Sequence, residues 1–146
     1  MGRLAILPVI VRVLFGGLFV LSGANKLLLF LPPPELPPAG AAFIAALAAT
    51  GYMLTLLALI EVVFGALVIV GRFVPLALTV LAPLVINIAF FHVVLAPALP
   101  IAVFLVASEM YLAWVHRDAF SGLLQATART ATPSAAGVTR PASVAS

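Results

Sequence analysis

The sequence predicts an all-α integral membrane protein, a bundle of four transmembrane helices with a short interfacial helix between the first and the second. One observation is composition: of 146 residues, 65% are hydrophobic and only 8% charged, and the mean hydropathy is +1.33. The other is length, since about 20 apolar residues in a helix span the hydrocarbon core. Several apolar runs reach that length and end at proline, glycine or basic residues.

The ends of the apolar runs set the element boundaries. The spans are predicted at residues 4–31, 52–70, 74–95 and 99–115; the first stops at a proline cluster and the third before Pro97. Between the first two spans, Ala41 to Thr50 favours a short helix that Gly51 ends. Residues 1–120 are therefore predicted to form the membrane domain. Residues 121–146, rich in Ala, Thr and Ser, are expected to form a disordered cytoplasmic tail.

Basic residues predict the orientation. Four spans place both termini and the loop between spans two and three on the same side of the membrane. That side carries five arginines: Arg3, Arg72, Arg117, Arg129 and Arg140. Because basic residues accumulate on the cytoplasmic side, both termini are expected to be cytoplasmic in a bacterial inner membrane. The first apolar run continues past Lys26, so it is expected to be a retained helix and not a cleaved signal peptide.

Three ionisable residues interrupt the apolar runs: Arg12, Glu61 and Glu109. A charge at the centre of a membrane helix costs at least about 2.5–3.5 kcal/mol, so such residues usually face a bundle interior. Helical phase and depth place all three in one layer, with Arg12 between the two carboxylates. One arginine against two carboxylates leaves an excess negative charge, so Glu61, in preference to Glu109, is expected to be partly protonated. A purely structural role, holding helices in register, is an equal alternative.

Three further polar residues are candidates for binding a ligand: Lys26, Asn87 and His92. Lys26 and His92 fall near the outer end of their helices, and Asn87 lies somewhat deeper. The face of Asn87 is expected to meet the charged faces of the other helices. Other interpretations are a snorkelling Lys26 and an Asn87 that only hydrogen-bonds a neighbouring helix.

Several function classes are excluded by residues that the chain lacks or separates. Cysteine is absent, which removes thiolate metal sites, iron–sulfur clusters and thiol–disulfide relays. His92 and His116 fall at opposite ends of the predicted bundle, so one chain cannot supply both as axial ligands of a haem. No metal site is expected, and a net charge of +3 spread along the chain gives no reason to expect nucleic acid.

Three segments carry a family resemblance. The stretches FIAALAATGYM and LIEVVFGALVIVGRFVPLALTVLAPLVINIAFFHVVLAP, and the first helix RVLFGGLFVLSGANKLLLF, resemble the DoxX family of small four-helix membrane proteins. The resemblance covers about the first 120 residues. It implies an inner-membrane bundle and an association with quinone-linked redox complexes. The positions that match its motifs are Arg12, Lys26, Glu61, Asn87 and His92.

Three functions follow as hypotheses, and whether the chain is an enzyme stays open. The first is an accessory or quinone-associated subunit of a membrane oxidoreductase. In it, Lys26, Asn87 and His92 would bind the quinone, Glu61 would handle protons, and a protein partner would carry electrons. The second is a non-catalytic assembly or scaffold subunit. The third is a small-solute or proton carrier, built in that case by homo-oligomerisation, because one four-helix unit shows no inverted repeat.

Overall fold

The structure, a computed structural model, describes residues 3–121, and every regular element in that range is a helix. The helices are α1 (Arg3–Leu28), α2 (Pro38–Ala49), α3 (Met53–Val70), α4 (Val74–Phe90), α5 (Leu99–Val115) and α6 (Arg117–Phe120). A π-helical turn, Phe91–Leu95, continues α4. The predicted disordered tail lies outside the described residues, apart from Ser121.

The helices agree closely with the predicted spans. Among residues 3–121, three segments are long and apolar enough to cross a membrane: Ile6–Leu28, Met53–Val70 and Val74–Leu95. The fourth predicted span, α5, has 17 residues, at the short end of the range of about 17–25 that spans a bilayer. The fold is therefore a membrane helical bundle, and its fourth span is the shortest.

The first helix ends three residues before its predicted limit. Leu29 has a left-handed backbone, with φ of 52°, which stops the helical ladder. The Asn25 side chain then accepts a hydrogen bond from the backbone N–H of Leu31 at 2.8 Å. An asparagine cap therefore ends α1 before the prolines are reached.

The short helix α2 begins earlier than predicted, at Pro38. Proline is well tolerated at the first helical position because its missing N–H would have no partner there. Gly40 is the buried residue of α2 and rests on the π-helical turn, where an added Cβ would lie 3.3 Å from both the Ala96 Cβ and the Leu95 carbonyl oxygen. Gly40 thus lets α2 lie against the outside of the bundle, over α3 and the end of α4.

The four long helices form a ring in which each packs against two neighbours: α1 on α3, α3 on α4, α4 on α5, and α5 back on α1. The ends of the bundle are named here by their residues. The basic end carries Arg72 and Arg117, and the far end carries the Pro32–Pro34 loop. The largest fully buried apolar side chains of the central core are Phe15, Phe19, Leu78, Leu81 and Leu112.

Small residues bring α1 and α3 into close contact along a line called here the glycine seam: Gly16, Gly23, Ala58 and Gly65. An added Cβ at Gly16 would lie 2.6 Å from the Gly65 carbonyl oxygen, and one at Gly23 would lie 2.6 Å from that of Ala58. Gly23 comes seven residues after Gly16 on α1, whereas its partner Ala58 comes seven residues before Gly65 on α3. The two helices therefore run antiparallel and keep one register over two turns. Close backbone approach of this kind stabilises helix pairs in membranes through van der Waals packing.

The end of α4 shows how proline shapes a helix terminus. Pro97 has no N–H, so it cannot donate the next hydrogen bond of the ladder. Instead, the Ala96 N–H bonds to the Phe91 carbonyl at 2.9 Å, and the Ala98 N–H bonds to the His92 carbonyl at 2.9 Å. The bond from Ala96 has the five-residue spacing of a π-helix, and the π-helical turn ends at Leu95, the predicted limit of the span.

The glycine seam predicts a strong difference between two adjacent glycines. Gly16→Ala should destabilise the bundle by about 1–3 kcal/mol, because its Cβ meets rigid backbone of α3. Gly17→Ala is the matched control, since a Cβ there meets nothing within 4 Å. Reversible unfolding in mixed micelles measures both. Equal stabilities of the two variants would contradict the close backbone contact between α1 and α3 at Gly16.

Candidate functional site

The best-satisfied polar contact in the bundle joins α1 to α3. The Lys26 ammonium donates to both carboxylate oxygens of Glu61, at 2.9 and 2.6 Å, and to the Ser22 hydroxyl at 2.7 Å. The Glu61 side chain is 2% exposed and that of Lys26 29%. Two of the ammonium's three donors therefore satisfy the buried carboxylate and the third satisfies Ser22, and such hydrogen bonding is the condition under which a buried ion pair is tolerated.

This pairing differs from the expected one, in which Arg12 sits between two carboxylates. Side chains on a helix tilt toward its N-terminus. Because α1 and α3 are antiparallel, Lys26 leans toward the basic end and Glu61 leans toward the far end, so the two approach each other. Arg12 leans toward the basic end as well, away from Glu61. The expectation that Lys26 snorkels outward is wrong for the same reason.

Arg12 lies instead against the end of α3. Gly71 follows α3 with a left-handed backbone, φ 79°, and a Cβ there would overlap the Arg12 guanidinium. The last carbonyls of a helix carry partial negative charge, so the C-terminus of α3 is a favourable place for a cation. Within the described chain Arg12 forms no ion pair, and its buried Nε has no hydrogen-bond partner.

Glu109 is buried in α5 with 9% exposure, and its Oε1 receives no hydrogen bond from the described residues. Its neighbour Ser108 is also buried. Since α5 runs in the same direction as α3, Glu109 leans toward the far end, whereas Arg12 leans the other way. The three charges predicted to form one coupled layer are therefore divided among three separate environments.

Asn87 lies on the opposite face of α4 from the core. The buried residues of α4 are Val74, Ala77, Leu78, Leu81 and Val85, whereas Pro83 and Asn87 are exposed. The expectation that the Asn87 face meets the charged faces is wrong, because this aliphatic stripe occupies the core side of the helix. No described residue forms a hydrogen bond with the Asn87 side chain.

Two grooves meet at Asn87, and both are bounded by Phe43 of α2. The larger, called here the aliphatic groove, has a volume of about 300 Å³ and is lined mainly by aliphatic side chains of α2, α3 and α4, among them Leu47, Leu57, Ile60, Val80 and Leu84. The smaller, called here the aromatic groove, has a volume of about 240 Å³. Besides Phe43 and Asn87, it is lined by Phe90, Phe91, Val94 and Leu95.

His92 belongs to neither groove. Its Nδ1 lies 3.3 Å from the Ala96 carbonyl oxygen, to which it can donate, and its ring packs edge-on against Phe91 with centroids 5.3 Å apart. Lys26 is likewise absent from the lining of both grooves. The three ligand candidates are therefore not brought together, and only Asn87 lines a groove. Phe43 and Phe90 line the aromatic groove together with Asn87, and the sequence did not identify either of them as a site residue.

The described residues, 3–121, contain no group of three or more metal-ligating side chains that could hold an ion. What they form is an all-helical membrane bundle with one internal ion pair and a pair of open grooves beneath α2. The DoxX family model matches residues 7–95, more than half of the chain and the whole stretch from α1 to the π-helical turn. The chain belongs to the DoxX family.

Among curated proteins and among solved structures, the comparisons found no match. The matched region contains Arg12, Lys26, Glu61, Asn87 and His92, and both grooves lie within it; Glu109 lies beyond it.

The ion pair predicts opposite responses to two matched substitutions. Glu61→Gln should destabilise the bundle by about 2–3 kcal/mol, because Lys26 loses its counter-ion. The loss is smaller than for a fully buried pair since Lys26 is 29% exposed. Glu109→Gln, with no described partner to lose, should change stability by less than about 1 kcal/mol. Equal losses of unfolding free energy in the two variants, measured by denaturant titration, would contradict the ion pair between Lys26 and Glu61.

The contact of Arg12 with Gly71 predicts a second contrast. Gly71 and Gly51 both have left-handed backbones, but a Cβ at Gly51 meets nothing within 4 Å. Gly51→Ala should therefore cost only the backbone strain of about 1–2 kcal/mol. Gly71→Ala should cost more, because it also displaces Arg12. In an Arg12→Ala background this excess should disappear, which a double-mutant cycle of unfolding free energies measures.

Proposed function

We propose that this DoxX-family chain is an accessory subunit of a membrane oxidoreductase complex and that it binds a quinone in the grooves beneath α2. In this proposal the membrane is the bacterial inner membrane, both termini are cytoplasmic, and the far end faces outward. A protein partner supplies the electrons. The DoxX membership and the membrane fold support a role in a membrane complex, and the geometry around Asn87 supports the binding of a quinone.

The observation that carries the proposal is the Asn87 amide. At about 1.5 Å per residue, Asn87 lies about 12 Å from Leu95 and about 20 Å from Val74, well inside a hydrocarbon core of about 30 Å. It is exposed on the side of the bundle, and no described residue satisfies it. A polar group in hydrocarbon without a partner costs several kcal/mol. A lipid-soluble ligand with a carbonyl oxygen would remove that cost.

A quinone has the chemistry that this position requires. It partitions into the bilayer, its flat ring fits between apolar side chains, and its carbonyl oxygens accept hydrogen bonds from an amide N–H. Ligand pockets are typically apolar with a small number of polar groups that fix orientation. Here the polar group is Asn87. Lys26 and Glu61, assigned to ligand and proton handling by sequence reasoning, bind each other and are left out of the ligand site.

A second candidate function, a scaffold subunit without a ligand, is favoured by a different observation. The Lys26 ammonium directs its donors to Glu61 and Ser22, within the bundle. Such a closed network holds α1 and α3 together and needs no ligand. In this hypothesis the polar residues serve assembly alone, and the grooves under α2 are filled by ordinary acyl chains.

Quinone binding by the purified chain in lipid nanodiscs separates the two functions. Asn87→Leu keeps the size of the side chain and removes one hydrogen bond, so the affinity for decylubiquinone should fall about fivefold. Thr79→Val is the control: it removes a hydroxyl from an exposed position of the same helix, where the hydroxyl bonds only to the Pro75 carbonyl. Binding unchanged by Asn87→Leu, or absent in the wild type, would favour the scaffold.

A further inference from the structure

The two grooves differ in the chemistry of their walls although they share one residue pair. Apart from Asn87, the aromatic groove places Phe43, Phe90 and Phe91 around about 240 Å³. The aliphatic groove offers leucine, isoleucine, valine, methionine and proline side chains around about 300 Å³, with Phe43 at its edge. Aromatic rings stack or pack edge-on with other rings, and this adds about 0.5–1.5 kcal/mol to simple burial. Aliphatic walls suit a flexible chain.

The shared residues lie where the grooves join. Asn87 and Phe43 line both. Along α4, the residues of the aromatic groove follow Asn87 at positions +3, +4, +7 and +8, which is one helical face extending toward the far end. The α4 residues of the aliphatic groove precede Asn87, at Val80, Pro83 and Leu84, and extend toward the middle of the bundle. One ligand could therefore lie along both grooves and pass Asn87 at the join.

Size supports a ligand that occupies both grooves. Pockets for small ligands usually measure about 300–1,000 Å³. The aromatic groove lies below that range and the aliphatic groove at its lower limit. The grooves are open at the side of the bundle, where Phe90 is 65% exposed, so a ligand can enter from the bilayer.

We infer that the site takes a long-chain isoprenoid quinone, with its ring in the aromatic groove, its first isoprene units in the aliphatic groove, and Asn87 donating to a ring carbonyl at the join. This assignment rests on the proposed quinone binding and specifies the ligand class and its direction. The ring lies toward the far end, and the tail runs past Leu84 toward the bilayer midplane.

Phe43 is the residue of α2 that defines the join. Its ring lies 5.7 Å from that of Phe91, between centroids, so the N-terminal half of α2 is held on the π-helical turn by this contact and by Gly40. The ligand therefore lies beneath α2, and α2 separates the ring from the lipid headgroups at the far end.

Two fluorescent labels test the direction of the ligand. The chain has no cysteine, so Val93→Cys and Leu76→Cys each give a unique labelling site. Both residues are exposed and line neither groove; Val93 is next to Val94 of the aromatic groove, and Leu76 lies one turn before Val80 of the aliphatic groove. A quinone ring quenches a fluorophore at short range, whereas an isoprenoid tail does not. In nanodiscs, a long-chain quinone should quench the label at position 93 more strongly than the label at position 76. The reverse order, or equal quenching, overturns the assigned direction.

Two substitutions test the two halves of the ligand separately. Phe90→Leu should weaken short-chain and long-chain quinones alike, about fivefold, because it removes a ring contact. Leu84→Trp should fill the aliphatic groove and weaken only the long-chain quinone, about tenfold. Phe90 is exposed, so its variant should fold, and circular dichroism checks both proteins.

The outcomes separate this inference from the proposed function. If short-chain and long-chain quinones bind equally well and Leu84→Trp affects neither, the tail assignment is wrong while quinone binding stands. If neither quinone binds but a polyprenol without a ring shifts the emission wavelength of the label at position 76, the grooves accept isoprenoid chains and the quinone function is wrong. If neither quinone binds and the polyprenol leaves the emission of both labels unchanged, both proposals fail.

Discussion

The close contact between α1 and α3 is the constraint on which the rest of the bundle depends. Gly16 and Gly65, and Gly23 and Ala58, allow the two backbones to touch over two helical turns. No hydrophobic driving force acts between helices in lipid, so this close packing has to supply the attraction. The contact also fixes the antiparallel register of the two helices. That register decides which polar side chains can reach one another.

The positions of the charges follow from this register and from the tilt of side chains toward the N-terminus of each helix. Lys26 and Glu61 tilt toward each other across the seam, and the ammonium donates two hydrogen bonds to the carboxylate and one to the Ser22 hydroxyl. Arg12 tilts toward the basic end and finds the C-terminus of α3 at Gly71. Two residues whose Cα atoms lie at similar depths can thus have charged groups that are separated by the length of two side chains, because the side chains tilt in opposite directions.

The site beneath α2 exists because α4 has two different faces. One, built from residues such as Leu78, Leu81 and Val85, fills the core. The other, with Pro83 and Asn87, faces away and is partly covered by α2. Gly40 allows α2 to rest on the π-helical turn, which ends at Leu95, two residues before Pro97. The polar residue exposed in this membrane span therefore lies beside a helix that stands outside the four-helix ring.

The sequence by itself determined the membrane class, the number of long helices, most of their ends and the DoxX resemblance, because these depend on apolar run length and on local breakers such as Pro97 and Gly71. It also identified Glu61 and Glu109 as residues that face the bundle interior. Only the tertiary structure decided that Lys26 pairs with Glu61, that Arg12 reaches Gly71 and that Asn87 faces a groove. The physical reason is that pairing depends on the register and relative direction of separate helices, which the periodicity of a single helix does not contain.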